Sequence, residues 1–484
     1  MSVIAIFLVL SIAAGIFMAV TQSDGPTKEL TGDISSVSDS AEPQQSENNG
    51  ENSSSPESET KTPAESDGNN DSSQGGVSSD EEISSDESEE KQESSSVAES
   101  TSAPHTTASP QPTQEPQNSA VSMDMKAVWI SYLEFQTVDF SSQQAFAADM
   151  TTVFRNCRDM GLNTVIVQVR PFGDALYNSS VFPSSHLING IQGASVSYDP
   201  LAEMVRIAHS MGLRIEAWVN PYRVRLHSKM PDNIAASNPA NDTSLVFNAN
   251  NGVYYNPALT QVQDLVVAGI EEIVRNYDVD GIHLDDYFYP ETDLSLDAEH
   301  YRASGTGLSQ EDWRRENVNT LVKRIYSAVK AIDSSVTFGI SPQGNNDNNY
   351  NMQYSDVALW LSQKGYVDYV MPQLYWGFGY LTASGRTDYQ FVNLCEKWES
   401  YPRASDVKLY IGLGAYRIGD GDGGANDQSE WQSGNNLMKM VNAINSIDGI
   451  DGFALYRYDN LFENSAYPDL AQSETEHLAD VLVW

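Results

Sequence analysis

From Met125 onward the sequence alternates between short runs rich in Val, Ile and aromatic residues and longer runs whose apolar residues recur every three or four positions. This alternation constrains the fold most, because parallel strands must be joined by crossovers and a helix is the usual crossover. Eight strand-like runs can be read: "KAVWISY" (126–132), "TVIVQVR" (164–170), "LRIEAWV" (213–219), "DGIHLDD" (280–286), "VTFGIS" (336–341), "VDYVMPQ" (367–373), "VKLYIGLG" (407–414) and "DGFALYR" (451–457). Between the first two, "SSQQAFAADMTTVFRNCRDMG" offers Ser141 or Ser142 as a cap and Gly161 as a stop. It places Phe146, Met150, Val153, Phe154 and Cys157 on one face. Eight β–α units in one stretch predict a (β/α)8 TIM barrel. A doubly wound sheet would need a glycine-rich phosphate loop after the first strand, and "WISYLEFQ" stands there instead. The gap of about 60 residues between the third and fourth strands holds "NPANDTSLVFNANNGVYYNPA" (238–258). It reads as an elaborated active-site loop rather than a separate domain.

The chain before the barrel has a different character. Residues 3–20 are an apolar run broken only by Ser11 and Gly15, so residues 1–22 read as a signal peptide or a membrane anchor. Residues 23–122 carry 22 acids against three lysines, a net −19 of the chain's −40. Too little apolar surface is present there to offset ordering entropy, so a disordered, acidic, Ser/Glu-rich linker is expected. The barrel domain, 123–484, retains the remaining −21, which disfavours nucleic acid as a partner. Membrane contact is expected only through the N-terminal segment, and an exported location at the cell surface, tethered or secreted, follows. Cys157 and Cys395 sit in helix-like patterns and read as unpaired core thiols.

In a TIM barrel the chemistry lies at the carboxyl ends of the strands. Those ends hold Glu134 after strand one, and Gln168, Arg170, Asp174 and Tyr177 at strand two. Strand three brings Glu216, Trp218, Asn220, Tyr222 and Arg223, and strand four His283, Asp285 and Asp286. Strands five and six bring Gln343, Gln373, Tyr375 and Trp376. The opposite ends are short turns such as "MGLN" and "MGLR". Any one of these residues is more commonly a hydrogen-bonded rim group than a ligand; their concentration at one rim points to a polar cleft. Aromatic planes suit the C–H faces of sugar rings, and amides, carboxylates and guanidinium groups suit their hydroxyls. The sequence has no HExxH or other close metal-ligand spacing, no G-x-S-x-G elbow and no Walker loop, so neither metal nor cofactor is expected.

Glycoside hydrolysis needs two carboxyl groups flanking the scissile bond. In "GIHLDDYFYP" (281–290), alternation along the strand turns His283 and Asp285 into the barrel mouth and Asp286 toward the rim. Asp285 is then the candidate for attack on the anomeric carbon, with His283 beneath the sugar. The acid is open among Asp286, Glu134, Asp174 and Glu216, with Asp459 behind them. Two other readings fit parts of the pattern. One is a non-catalytic carbohydrate-binding barrel. The other is a metal-dependent deacetylase, which lacks its Asp–His–His cluster.

The segments "KAVWISYLEF", "GLNTVIVQVRPFGDALYNSSVFPSS", "YDPLAEMVRIAHSMGLRIEAWVNPYRV", "VDGIHLDDYFYP", "FGISPQGN" and "YVDYVMPQLYWGF" together resemble the bacterial glycosyl-hydrolase-like 10 family, over about residues 123–462. The resemblance implies a glycosidase-type TIM barrel exported to the cell envelope. It implies a polysaccharide substrate, in some members peptidoglycan glycan strands stripped of their peptides. By motif it puts Gln168, Arg170, Asp174, Asn220, Tyr222, Arg223, Asp285 and Asp286 in the cleft. Many relatives read "HAW" where this chain reads "EAW", which implies an extra acid, Glu216, at the mouth.

Overall fold

Strand β1 (Met125–Ile130) is parallel to β2 (Thr164–Arg170), and β2 to β3 (Arg214–Val219). The ladder continues through β4 (Gly281–Leu284), β5 (Thr337–Ile340) and β6, which pairs at Tyr369–Val370 and again at Gln373–Leu374. Strands β7 (Lys408–Gly414) and β8 (Gly452–Tyr456) return it to β1, so the sheet closes as an eight-stranded parallel barrel. Closure removes every exposed edge from the sheet. The computed structural model describes residues 123–227 and 230–482. The expected N-terminal apolar segment and acidic linker lie outside them. Among the described residues no helix is long and apolar enough to cross a membrane.

The expected elements appear with two informative differences. The sixth strand is interrupted at Met371–Pro372, because proline has no N–H to give to the ladder. The fourth ends at Leu284, so Asp285 and Asp286 stand just past the last paired residue, where the chain is released from the sheet.

The helices follow from local chemistry. Ser142 caps α1 (Gln143–Asp159) by accepting from the Ala145 N–H, and Phe146, Met150, Val153, Phe154 and Cys157 are buried against the barrel. Each such side chain contributes roughly 1.5–3 kcal/mol. Gly161 ends the turn at φ +97°, where an added Cβ would lie 2.4 Å from the Leu482 carbonyl oxygen. Asp199 caps α2 (Pro200–Ser210) in the same way, with Pro200 in its first turn. α3 (Thr260–Asn276) and α4 (Gln310–Ile332) pack against each other, and α4 lies against β5. Cys157 and Cys395 are both free and buried.

Outward-facing strand residues such as Val128, Val165, Ile215, Ile282 and Leu284 pack under the helices. The inward set is a second cluster, including Trp129, Ile166, Trp218, Tyr369, Met371 and Tyr410. The long β3–β4 connection folds into a small antiparallel sheet (Arg223–Arg225, Val246–Ala249 and Gly252–Tyr255). Its hairpin turns through Asn250 and Asn251, both left-handed (φ 48° and 63°), a conformation asparagine tolerates. Asn250 Nδ2 donates to the Pro290 carbonyl at 2.8 Å, tying the hairpin tip to the segment that follows the acid pair.

Candidate active site

Release from the ladder at Leu284 leaves Asp285 and Asp286 at the carboxyl end of β4, 4% and 8% exposed. Buried carboxylates must be met by donors, and each has its own set. Asp285 Oδ2 accepts from Asn220 Nδ2 at 2.5 Å and Trp218 Nε1 at 3.2 Å, and Oδ1 accepts from the Tyr287 N–H at 3.2 Å. The orientation of Asn220 is fixed from behind. The Tyr132 N–H donates to Gln168 Oε1 at 2.9 Å, and Gln168 Nε2 donates to Asn220 Oδ1 at 2.5 Å. Arg223 donates to the same oxygen at 3.3 Å. Only the Asn220 N–H can then face Asp285.

Asp286 is surrounded by glutamines. Gln373 Nε2 donates to its Oδ1 at 3.1 Å and to the Ser341 carbonyl at 2.9 Å. Gln353 Nε2 donates to Oδ2 at 3.3 Å, and Gln343 is a third amide partner. Gln353 Oε1 is buried without a hydrogen-bond partner. Turning that amide over would present an acceptor to an O–H on Asp286.

Burial, and then repulsion from Asp286, pushes the Asp285 carboxyl up to about 7, while nearby Arg223 and its hydrogen bonds oppose the rise. Burial raises Asp286 as well. Two such neighbours titrate as a pair, and between its two ionisations the pair holds a single proton. Asp285 faces only groups that must donate, whereas Asp286 has one amide free to turn. The proton is therefore better accommodated on Asp286.

The aromatic residues form the surroundings. Tyr375 stacks on Tyr456 at 5.7 Å, and Tyr416 meets both rings edge-on. Arg223 lies 5.5 Å from the centre of the Tyr287 ring. Burial raises Tyr287, Tyr375 and Tyr456, so their hydroxyls stay protonated and serve as neutral donors and acceptors. Trp376 packs between Tyr380 and Tyr389 in the loop after β6.

Several expected site residues are placed elsewhere. Both Glu134 oxygens are occupied: Ser131 N–H and Oγ donate to one, Arg457 and the Asp459 N–H to the other. Glu134 thus ties the β1 and β8 ends together, and Arg457 also pairs with Asp459 at 2.8 Å. Asp174 is fully buried, its Oδ2 held by the His186 N–H, His186 Nδ1 and Gln192 Nε2. Arg170 is buried with its guanidinium 4.4 Å over Phe182, and Tyr177 and Tyr222 are equally enclosed. Glu216 does not reach the mouth. It pairs in register with Gly281, the first residue of β4, which puts it two residues below Trp218 inside the barrel. His283 is 0% exposed with both ring nitrogens engaged by protein groups, so it does not face a ligand directly. Gln168, Trp218, Asn220 and Arg223 do converge on Asp285, and Gln343 and Gln373 on Asp286. Sequence reasoning missed Gln353, which lies in an irregular loop without periodicity, and Tyr369. The signal for Tyr369 was an inward-parity tyrosine opposite Gly339.

A closed parallel barrel with a buried acid pair at the end of its fourth strand, framed by amides and tyrosines, defines a glycoside-hydrolase-type TIM barrel. The chain belongs to the glycosyl hydrolase-like 10 family, whose model matches residues 124–433. It is 32% identical over 350 residues to glycosyl hydrolase YngK of Bacillus subtilis, covering 67% of this chain and 66% of YngK. It is 32% identical over 332 residues to glycosyl hydrolase DigH of Escherichia coli, covering 62% of this chain and 73% of DigH. The match thus leaves about a third of YngK uncovered. The glycoside hydrolase domain of PgaB (BpsB) from Bordetella bronchiseptica shares the fold at 12% identity and a TM-score of 0.50, over 74% of this chain and 99% of that domain.

Proposed function

We propose that this protein is an envelope-associated glycoside hydrolase that cuts glycosidic bonds in a cell-wall polysaccharide, with peptide-free peptidoglycan glycan strands as the substrate of first choice. The observation that carries the reading is the coupled Asp285–Asp286 pair and its unequal donor sets. Asp286 holds the shared proton and delivers it to the leaving glycosidic oxygen. Asp285, kept as the anion by its N–H donors, attacks the anomeric carbon. Water then adds to the anomeric carbon, giving its proton to Asp286 as the bond to Asp285 breaks, which frees the sugar and resets the pair. The tyrosine hydroxyls and the outer aromatic faces bind and stack the sugar. In this reading the catalytic barrel is exported and held at the cell surface by residues 1–122, or released from it.

The test is digestion of defined glycans, with and without stem peptides, by the full-length protein, followed by mass spectrometry of the products. New reducing ends from peptide-free strands are expected. Binding to cell wall without release of reducing ends from any glycan in the panel would replace this reading with that of a carbohydrate-binding barrel.

A further inference from the structure

Below the acid pair lies a buried polar chain that the proposed reaction does not use. It runs through four strands of the barrel. Glu216 of β3 accepts from the Tyr369 hydroxyl of β6 through Oε2 and from Thr337 Oγ1 of β5 at 3.0 Å through Oε1. The Tyr369 oxygen lies 2.7 Å from His283 Nδ1 on β4. On the other edge of that ring, His283 Nε2 faces Trp129 Nε1 at 3.2 Å and Ser341 Oγ at 3.0 Å.

The barrel is built around this chain. An added Cβ at Gly339 would lie 1.9 Å from the Tyr369 ring, and one at Gly281 would lie 2.7 Å from the Glu216 carboxyl carbon. Both glycines occupy inward positions, in register with Tyr369 and Glu216 respectively. The chain therefore occupies space that any side chain at either glycine would fill.

Proton counting fixes its direction. An indole N–H can only donate, so its bond to His283 is made only while Nε2 is the bare nitrogen. Burial pushes this imidazole down to about 3, so the ring is neutral and its single proton sits on Nδ1. Nδ1–H then donates to the Tyr369 oxygen, and the Tyr369 proton must go to Glu216. The opposite tautomer also has an acceptor waiting, Ser341 Oγ, but it would leave the Trp129 N–H without one. Glu216 and Tyr369 are what tip the choice. The other charged groups that face Glu216 are Arg214, on its own strand, and Asp280. Both are partly exposed at the opposite end of the barrel.

We propose that Glu216, Tyr369 and His283 form a positioning column that locks His283 as the Nδ1–H tautomer and so seats two indoles beneath the acid pair. Trp129 is held by the bare Nε2 and packs edge-on against Tyr456 at 5.9 Å. Trp218 meets the His283 ring edge-on at 6.4 Å and donates to Asp285. Ser341, on the same nitrogen, gives its carbonyl to Gln373, the partner of Asp286. None of the three column residues touches substrate. They act through the groups that do, and this part of the inference rests on the glycosidase reading.

The tautomer is read without substrate, by nitrogen NMR of the full-length protein labelled at its seven histidines, with His283 assigned from its loss in His283→Gln. A neutral ring protonated at Nδ1 is expected near neutral pH; protonation at Nε2, or a charged ring, overturns the column. Glu216→Gln still offers an oxygen to Tyr369 and an N–H to Thr337, so it keeps the tautomer and a kcat within about threefold. Glu216→Met removes the acceptor. The Tyr369 hydroxyl then turns to Nδ1, the His283 proton moves to Nε2, and kcat falls roughly 10–100-fold with KM little changed. A folded Glu216→Met protein with the wild-type tautomer and kcat overturns the proposal. Tyr369→Phe makes the same cut by deleting one oxygen, and a wild-type tautomer and kcat there count equally against it. Failure of the wild-type protein to cleave any glycan would sink the glycosidase reading alone, since the tautomer is measured independently.

Discussion

Asn220→Ala tests how Asp285 is kept in its working form. The substitution removes the amide 2.5 Å from Asp285 Oδ2 and leaves the Trp218 and Tyr287 donors in place. A hydrogen bond to a charged group is worth about 1.5–3 kcal/mol, and one pH unit corresponds to about 1.4 kcal/mol, so the ionised form loses the equivalent of about one to two units. The sign follows from the chemistry. Asp285 must be ionised to attack, burial and Asp286 already raise its carboxyl, and Asn220 lowers it. Removing Asn220 moves the acidic limb of the pH–kcat/KM profile upward by about one unit or somewhat more. On the acidic side of that limb the variant then retains about a tenth of wild-type activity from this effect alone, and the gap closes on its alkaline side. The substitution also strips the acceptor from Gln168 Nε2 and from one Arg223 N–H. Each buried donor left unpaired costs about 1–3 kcal/mol, less where water enters the space vacated. Profiles measured from pH 4 to 9 on one glycan, with a parallel denaturation series, check both effects. An acidic limb that stays in place, or moves downward, would refute the claim that this amide relay holds Asp285 as the anion.

Three further outcomes follow from the same structure. Asp286→Asn removes the proposed proton donor, so turnover of natural glycans is expected to fall roughly 10²–10⁴-fold, while aryl glycosides with acidic leaving groups lose far less; equal losses on both substrates would exclude Asp286 as the acid. Asp285→Asn relieves a buried charge. The wild-type carboxyl is raised from 3.8 to about 7, so the wild type loses stability relative to the variant as pH rises from about 4 through 7. The variant is expected to be more stable by roughly 1–3 kcal/mol at pH 8, below the ~4 kcal/mol limit because its amide meets the Tyr287 N–H, with the gap closing toward pH 4; denaturant titrations at both pH values decide it. Asp297→Ala strands Arg314, since the two form a fully buried pair at 2.7 and 2.9 Å that joins the segment after the acid pair to α4. A loss of about 3–5 kcal/mol is expected in the same assay, and a loss under 1 kcal/mol would show that water reaches Arg314.

Much of the architecture was legible in the chain because the barrel imposes two periodicities at once. Alternation in "TVIVQVR" and "GIHLDD" separates residues under the helices from residues inside, and the helical runs carry their own caps, as Ser142 and Asp199 show. Strand-end parity also brought Gln168, Trp218, Asn220 and Asp285 together correctly, since all four obey the same alternation. Depth was not legible. Glu216 and Trp218 share a face, but strand stagger puts one in the barrel interior and the other beneath Asp285, and stagger is a property of the closed sheet rather than of any one strand. Glu134 and Asp174 looked available because sequence reveals a carboxylate and not its partners. Arg457 and the Asp459 N–H reach Glu134 from over 300 residues away. Gln353 was invisible for a related reason, as it approaches Asp286 from an irregular loop after β5.

The central claim is that Asp285 does the chemistry at this site, and side-by-side turnover by full-length wild-type and Asp285→Asn protein on peptide-free peptidoglycan strands tests it most directly. With reducing ends quantified at the pH optimum, and both proteins shown to be folded and to bind the strands, the wild type should release product steadily. The variant should fall by roughly three orders of magnitude or to background, as removal of a group acting directly in the reaction requires. An Asp285→Asn protein that keeps more than about a tenth of wild-type turnover would contradict the account.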